Sequence, residues 1–144
     1  MQVQGTEMRR IGIQYERELD TTGHFKRDVD PAVAALAPLR HALMAWLENC
    51  ALSARSREAV ILATHEAVAN AIQHSGTNNR IRVRAAAEGD GLTIEISDDG
   101  EWRIPDDPPS HERGRGLGLI RSLVSNATIN TDAGGTTVLL YQLA

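Results

Sequence analysis

Leu36, Leu39, Leu43, Trp46 and Leu47 recur at spacings of three and four, which lays them along one stripe of an α-helix. Asp30-Pro31 reads as its start, with Asp as N-cap and Pro at the first helical position, and the pattern runs to Asn49. Pro38 either kinks this helix or marks its true beginning. A second helix is predicted from near Ser53 or Ser56 to about Gln73, closed by His74-Ser75-Gly76 and the polar run Thr77-Asn78-Asn79. Strict alternation takes over at Arg80–Ala87 and Leu92–Ser97, and the turn Glu88-Gly89-Asp90-Gly91 joins them as a hairpin. Gly23–Val29 alternates as well and reads as a short strand, and Met8–Tyr15 is a possible one. Residues 98–113 are polar and carry three prolines, the composition of a functional loop. Leu117–Val124 is helical in pattern, and Thr128–Thr131 with Thr136–Gln142 makes a last hairpin around Asp132-Ala133-Gly134-Gly135.

The order is strand, two helices, hairpin, loop, helix, hairpin. The simplest assembly is an α/β two-layer sandwich, a mixed and mostly antiparallel sheet covered on one face by about three helices. A chain of 144 residues suits one domain. Residues 23–144 are expected to form it, with 1–22 as an N-terminal extension. The net charge of −4 supplies no basic field for direct nucleic-acid binding. Cys50 is the only cysteine, which excludes internal disulfides and multi-cysteine metal clusters. No apolar run approaches membrane length and no signal-peptide core opens the chain, so the expectation is a reduced, cytoplasmic protein. Lys26 is the only lysine. It lies in neither a GxxxxGK[ST] phosphate loop nor a kinase strand context, so any ATP binding must use another route.

Three segments carry candidate chemistry. In the second helix Glu66 and Asn70 are four apart and share a face, and His74 continues the row. A carboxylate beside an amide oxygen suits Mg²⁺ and proton abstraction. Taken alone, a solvated polar face with an i, i+4 hydrogen bond is the better reading. Asp98-Asp99-Gly100 ends a strand rich in β-branched residues. Its first carboxylate can accept from an adenine amino group, but taken alone an ordinary turn is the better reading. Gly114-Arg115-Gly116-Leu117-Gly118-Leu119 opens a helix. Three alternate glycines at a helix start form an anion cradle of free N–H groups, with Arg113 and Arg115 beside it. Glycine at that density is costly inside a helix, so here the functional reading leads.

Together and in this order the three segments resemble the N, G1 and G2 boxes of the Bergerat (GHKL) ATP-binding fold, over roughly residues 23 to 144. Within it, the text Glu66-Ala-Val-Ala-Asn70-Ala-Ile-Gln-His74 resembles the anti-sigma-factor serine/threonine kinases of the RsbW and SpoIIAB type. Thirteen residues separate Gly100 from Gly114, and the only phenylalanine is Phe25. The phenylalanine box of sensor histidine kinases is therefore missing. The resemblance implies Asn70 as Mg²⁺ ligand, and Glu66 as base or as the group that orients the attacking serine or threonine hydroxyl of a protein substrate. It implies Asp98 and Gly100 at the adenine, and residues 101–113 as an ATP lid. The ATP contacts would also include His74, Arg113, Gly114, Arg115, Gly116, Leu117, Gly118 and Leu119. Arg40 is the implied partner contact on the first helix. The implied activity is ATP-dependent phosphorylation of a STAS-domain anti-sigma antagonist, with sequestration of a sigma factor and a homodimeric state. A nucleotide-gated binding switch without phosphotransfer and the ATPase domain of a sensor kinase are the alternatives. His65 reads as a core histidine, Trp46 as core, Cys50 as a buried small residue at a helix end, and Arg80, Arg82 and Arg84 as a solvated strand face.

Overall fold

One sheet of six strands, in the order β1-β2-β3-β4-β6-β5, forms one layer of the computed structural model, which describes residues 19–20, 23–75, 80–99, 118–132 and 135–144. The strands are β1 (Leu19–Asp20), β2 (His24–Val29), β3 (Ile81–Glu88), β4 (Gly91–Asp98), β5 (Asn126–Asp132) and β6 (Gly135–Leu143). The sheet is the mostly antiparallel one expected, and among the described residues every adjacent pair is antiparallel. The helices are α1 (Leu36–Leu47), α2 (Ala54–Ser75) and a short α3 over 118–123. The possible strand at Met8–Tyr15 lies outside the described residues.

Alternation along the strands decides which face the helices cover. Ile81, Val83 and Ala85 of β3, Leu92, Ile94 and Ile96 of β4, and Val138 and Leu140 of β6 are buried. The residues between them stay partly open, as a half-buried antiparallel sheet requires. All five residues of the predicted α1 stripe are buried. Trp46 packs on Phe25 with ring centroids 5.7 Å apart, within the range of favourable aromatic pairs. From α2, Val60, Ala63, Ala67, Val68 and Ala71 enter the same core, with Ile61 and Ile72 packed at its margin. Ile120 and Val124, four apart, pin α3 to it.

The start of α1 differs from expectation. Asp30 caps no helix. Its carbonyl accepts the Ala32 N–H at 2.7 Å, and a 3-10 turn at Val33–Ala35 precedes the α-helix. Pro38 is the third residue of α1, within the first turn, where a missing N–H leaves no intrahelical bond unmade. It marks the true start and does not kink a longer helix. The start of α2 matches one of the two predicted positions: Ser53 Oγ accepts the Ser56 N–H at 3.1 Å, an N-cap three residues ahead of its donor.

Ser56 fixes the direction of α2 over the sheet. Its Oγ donates to Leu143 O at 3.0 Å and accepts from Gln142 Nε2 at 3.2 Å. The N-terminal end of α2 is thereby tied to the end of β6.

Cys50 lies just past α1 and is only partly buried. Its Sγ sits 3.7 Å from the Trp46 carbonyl, and burial pushes the thiol above the ordinary cysteine range. The thiolate is the reactive form. Iodoacetamide at about pH 8 is therefore expected to modify Cys50 several-fold more slowly than a free small thiol, with the rate climbing steeply as pH rises further. With one cysteine in the chain, intact-mass spectrometry reads this directly. A rate equal to the free thiol would contradict it.

Candidate functional site

The fold brings two of the three sequence segments to one end of the sheet. Asp98 pairs with Thr136, while Gly91 at the other end of β4 pairs with Leu143. The start of α2 is tied to Leu143, and α2 packs across β4 and β6. From Ser56 to Asn70 a helix advances about 21 Å at 1.5 Å per residue. From Leu143 back to Thr136 a strand advances about 23 Å at 3.3 Å per residue. From its tie at Leu143, α2 is thus long enough to carry Glu66 and Asn70 towards the Asp98–Thr136 end. Both side chains are half-exposed, open to a ligand and not sealed in the core.

Asp98 is 4% exposed, on the helix-covered face in line with Ile96 and Ile94. A carboxylate in that position needs polar company. Across the ladder, Thr136 is 2% exposed, and among the described residues its Oγ1 has no hydrogen-bond partner. A buried hydroxyl left unmatched costs about 1–3 kcal/mol. A carboxylate and an orphaned hydroxyl, side by side and facing the helices, are a suitable pair for a polar ligand edge. Thr136 is a candidate that sequence reading missed. Its one local signal was its place directly after a double glycine; the register opposite Asp98 comes from the structure.

Backbone geometry holds this corner. Gly135 has φ +134°, and a Cβ built on it would lie 2.0 Å from Asp98 O, 2.9 Å from Asp99 Cα and 3.0 Å from Asp98 C. Only glycine allows β6 to start so close to the end of β4. On the outer face Arg82 Nη2 donates to Asp99 Oδ1 at 2.7 Å, anchoring the residue after Asp98 from the other side of the sheet. Arg80 lies 3.8 Å from Asp30. Arg84 is exposed. The arginine row is thus a solvated face, with Arg82 pinning the turn. Arg82, Arg84 and Asp99, together with Glu95, Ser97 and Thr137, line an open depression of about 360 Å³ behind the corner.

His65 is not the core histidine expected. It is half-buried, and its Nδ1 receives a hydrogen bond from Arg40 Nη1 at 3.2 Å. That contact joins α2 to α1 immediately before Glu66. Gly118 and Leu119 belong to α3, and Leu119 is exposed. Gly118 has open space where a Cβ would be. Gly100, residues 101–113 including Arg113, and Gly114, Arg115, Gly116 and Leu117 lie outside the described residues. So does the His74 side chain. Among the described residues no three of His, Cys, Asp and Glu converge as a metal cluster. No helix there is long and apolar enough to cross a membrane.

Comparison with known proteins agrees with this fold. The histidine kinase-like ATPase domain family matches residues 29–141, and the chain belongs to that family. The crystal structure of the RsbU and RsbW domains of Rv1364c from Mycobacterium tuberculosis is similar at TM-score 0.70 and 28% identity. The similarity covers 85% of this chain and 32% of that one, so the chain spans about a third of its length. The histidine kinase domain of the blue-light activated histidine kinase EL346 from Erythrobacter litoralis shares the fold. It aligns at TM-score 0.56 and 19% identity, over 98% of this chain and 81% of that one. Family membership implies ATP binding.

Proposed function

We propose that this protein is an ATP-dependent serine/threonine kinase of a bacterial partner-switching system. Its substrate would be a STAS-domain anti-sigma antagonist, and it would hold a sigma factor when that antagonist is phosphorylated. The observation that carries the reading is the buried Asp98 opposite a Thr136 hydroxyl that has no partner among the described residues. Similarity to an RsbW domain supports the choice of substrate class. ATP with Mg²⁺ supplies the phosphoryl group and the charge neutralisation that such transfers need.

The chain's own residues then divide the work. Asp98 accepts from the adenine amino group, and Thr136 supplies a hydroxyl beside it. The Asn70 amide oxygen is a hard ligand suited to Mg²⁺. The Glu66 carboxylate takes the proton of the attacking serine or threonine hydroxyl. Its retention argues for phosphotransfer over a nucleotide-gated binding switch. Gly114, Gly116 and Gly118 offer backbone N–H groups to phosphate oxygens. Residues 23–144 would be the ATPase domain and 1–22 an extension. The protein would act in the cytoplasm as a homodimer.

Calorimetry with ATP tests the site. The wild type is expected to bind ATP, more tightly with Mg²⁺. In Asn70→Ala the Mg²⁺-dependent gain is expected to vanish while metal-free binding persists. Absence of ATP binding with and without Mg²⁺ would end the kinase reading and leave a partner-binding domain that kept the fold alone.

A further inference from the structure

The open depression on the outer face of the sheet lies behind the Asp98–Thr136 corner and is built from other side chains. Its shape follows from their lengths. Ser97 and Thr137 are Cα partners in the β4–β6 ladder, and their short side chains form the floor. Gly135 has no side chain to fill it. The longer Arg82 and Arg84 of β3 and Glu95 of β4 stand around it.

The charges in these walls have both signs and are not equally engaged. Arg82 Nη2 donates to Asp99 Oδ1 at 2.7 Å, so that pair is closed. Arg84 and Glu95 are also direct partners, across the β3–β4 ladder, where Cβ atoms stand about 5 Å apart. Yet among the described residues neither side chain has an ion pair or a hydrogen bond. Arg84 is exposed and Glu95 half-exposed. The field across them has a direction. Lys26, the partner of Arg84 on β2, adds positive charge on one side, and neutral Leu139 is the partner of Glu95 on the other.

An open guanidinium facing an open carboxylate restricts what can bind. A simple anion at Arg84 meets the charge of Glu95, and a simple cation at Glu95 meets that of Arg84. A molecule carrying both charges close together satisfies both groups. Its carboxylate takes the planar guanidinium fork, and its ammonium donates to Glu95. An α-amino acid presents these two groups on one carbon. The hydroxyls of Ser97 and Thr137 each donate and accept, which matches a neutral polar side chain such as an amide. A volume of about 360 Å³ lies at the small end of ligand sites, suited to a molecule of this size and not to a second nucleotide.

We propose that the outer-face depression binds a small zwitterion, a free α-amino acid with an uncharged polar side chain. Arg84 holds the carboxylate, Glu95 the ammonium, and the Ser97 and Thr137 hydroxyls the side chain. The inference goes beyond the kinase reading and does not rest on it. Ion pairs open to water are weak and screened by salt, so the affinity belongs in the millimolar range.

The test is NMR of the full chain labelled with ¹⁵N-arginine, the Arg84 Nε–Hε signal being assigned by its loss in Arg84→Lys. Three probes of one skeleton are titrated at constant ionic strength. L-Glutamine carries both charges, 4-carbamoylbutanoate lacks the ammonium, and 4-aminobutanamide lacks the carboxylate. L-Glutamine is expected to shift the Arg84 signal saturably, and each singly charged probe to bind about tenfold more weakly or worse. In Glu95→Gln the preference is expected to disappear, with L-glutamine and 4-carbamoylbutanoate within about threefold of each other. Ser97→Leu, which fills the floor from the solvent side, is expected to abolish the shift. An Arg84 signal indifferent to L-glutamine would overturn the proposal. So would equal wild-type affinity for L-glutamine and 4-carbamoylbutanoate, which describes a plain anion site, or a preference that survives in Glu95→Gln. The comparison of probes on the wild type needs no variant, so it decides the matter even where a substituted chain fails to fold.

Discussion

Gly135→Ala is expected to lower stability by about 3 kcal/mol or more, a large share of what an ordinary domain possesses. Two costs coincide. The residue has φ +134°, a region that side chains rarely adopt. The added carbon would also lie 2.0 Å from the Asp98 carbonyl oxygen, and the obstacle is backbone, which cannot rotate away as a side chain can. Gly89 provides the comparison. It has φ +52° with nothing within 4 Å of a built Cβ, so Gly89→Ala bears the conformational term alone, about 1–2 kcal/mol. Urea denaturation of the two variants measures the difference. The same strain pushes the Asp98–Asp99 end away from β6, so whatever Gly135→Ala protein remains folded is expected to bind ATP more weakly. Equal destabilisation by the two variants would mean that β4 and β6 do not approach as closely as this.

What the chain revealed in advance depended on the range of the interaction. The α1 stripe was legible because helical spacing alone puts Leu36, Leu39, Leu43, Trp46 and Leu47 on one side, and all five are buried. The β3–β4 hairpin was legible because Gly89 and Asp90 form a two-residue connection between alternating strands. Gly89 has positive φ and Asp90 does not, the sign pattern of a type II′ turn. Asp30-Pro31 misled because a helix-start dipeptide has the same composition as the turn that precedes a 3-10 segment. The strand β1 has two residues, too few for any period to register.

The site followed the same rule. Glu66 and Asn70 shared a face by local spacing. Their placement over the strand that ends in Asp98 required α2 to be tied to Leu143 and to pack on β4 and β6, neither of which any local pattern contains. Thr136 was a strand threonine until the register placed it opposite Asp98. His65 looked like a core residue because its partner, Arg40, is 25 positions away on another helix.

The second large effect concerns that corner, and its sign pattern is what makes it informative. Thr136→Val replaces a buried hydroxyl by a methyl group of nearly equal shape. Because Oγ1 has no partner among the described residues, the substitution removes a desolvation penalty of about 1–3 kcal/mol and breaks no hydrogen bond among them. The variant is expected to be as stable as wild type or more so. If the hydroxyl exists for the nucleotide, ATP affinity is expected to fall by about 1 kcal/mol, roughly fivefold. Greater stability with weaker binding is the signature of a group kept for a ligand. Asp98→Asn tests the other half. A carboxylate only accepts, so it suits the amino group of adenine and opposes the carbonyl oxygen that guanine presents there; an amide can turn its NH₂ outward and donate. Losing a charged hydrogen bond worth about 1.5–3 kcal/mol weakens ATP binding some 10- to 150-fold. The preference for ATP over GTP is expected to shrink with it, as it must when a donor replaces an obligate acceptor. Both are read by calorimetry with the two nucleotides. Unchanged ATP affinity in Asp98→Asn, with the wild type binding normally, would remove adenine from this corner and leave Asp98 and Thr136 as an unexplained polar pair at the end of the sheet.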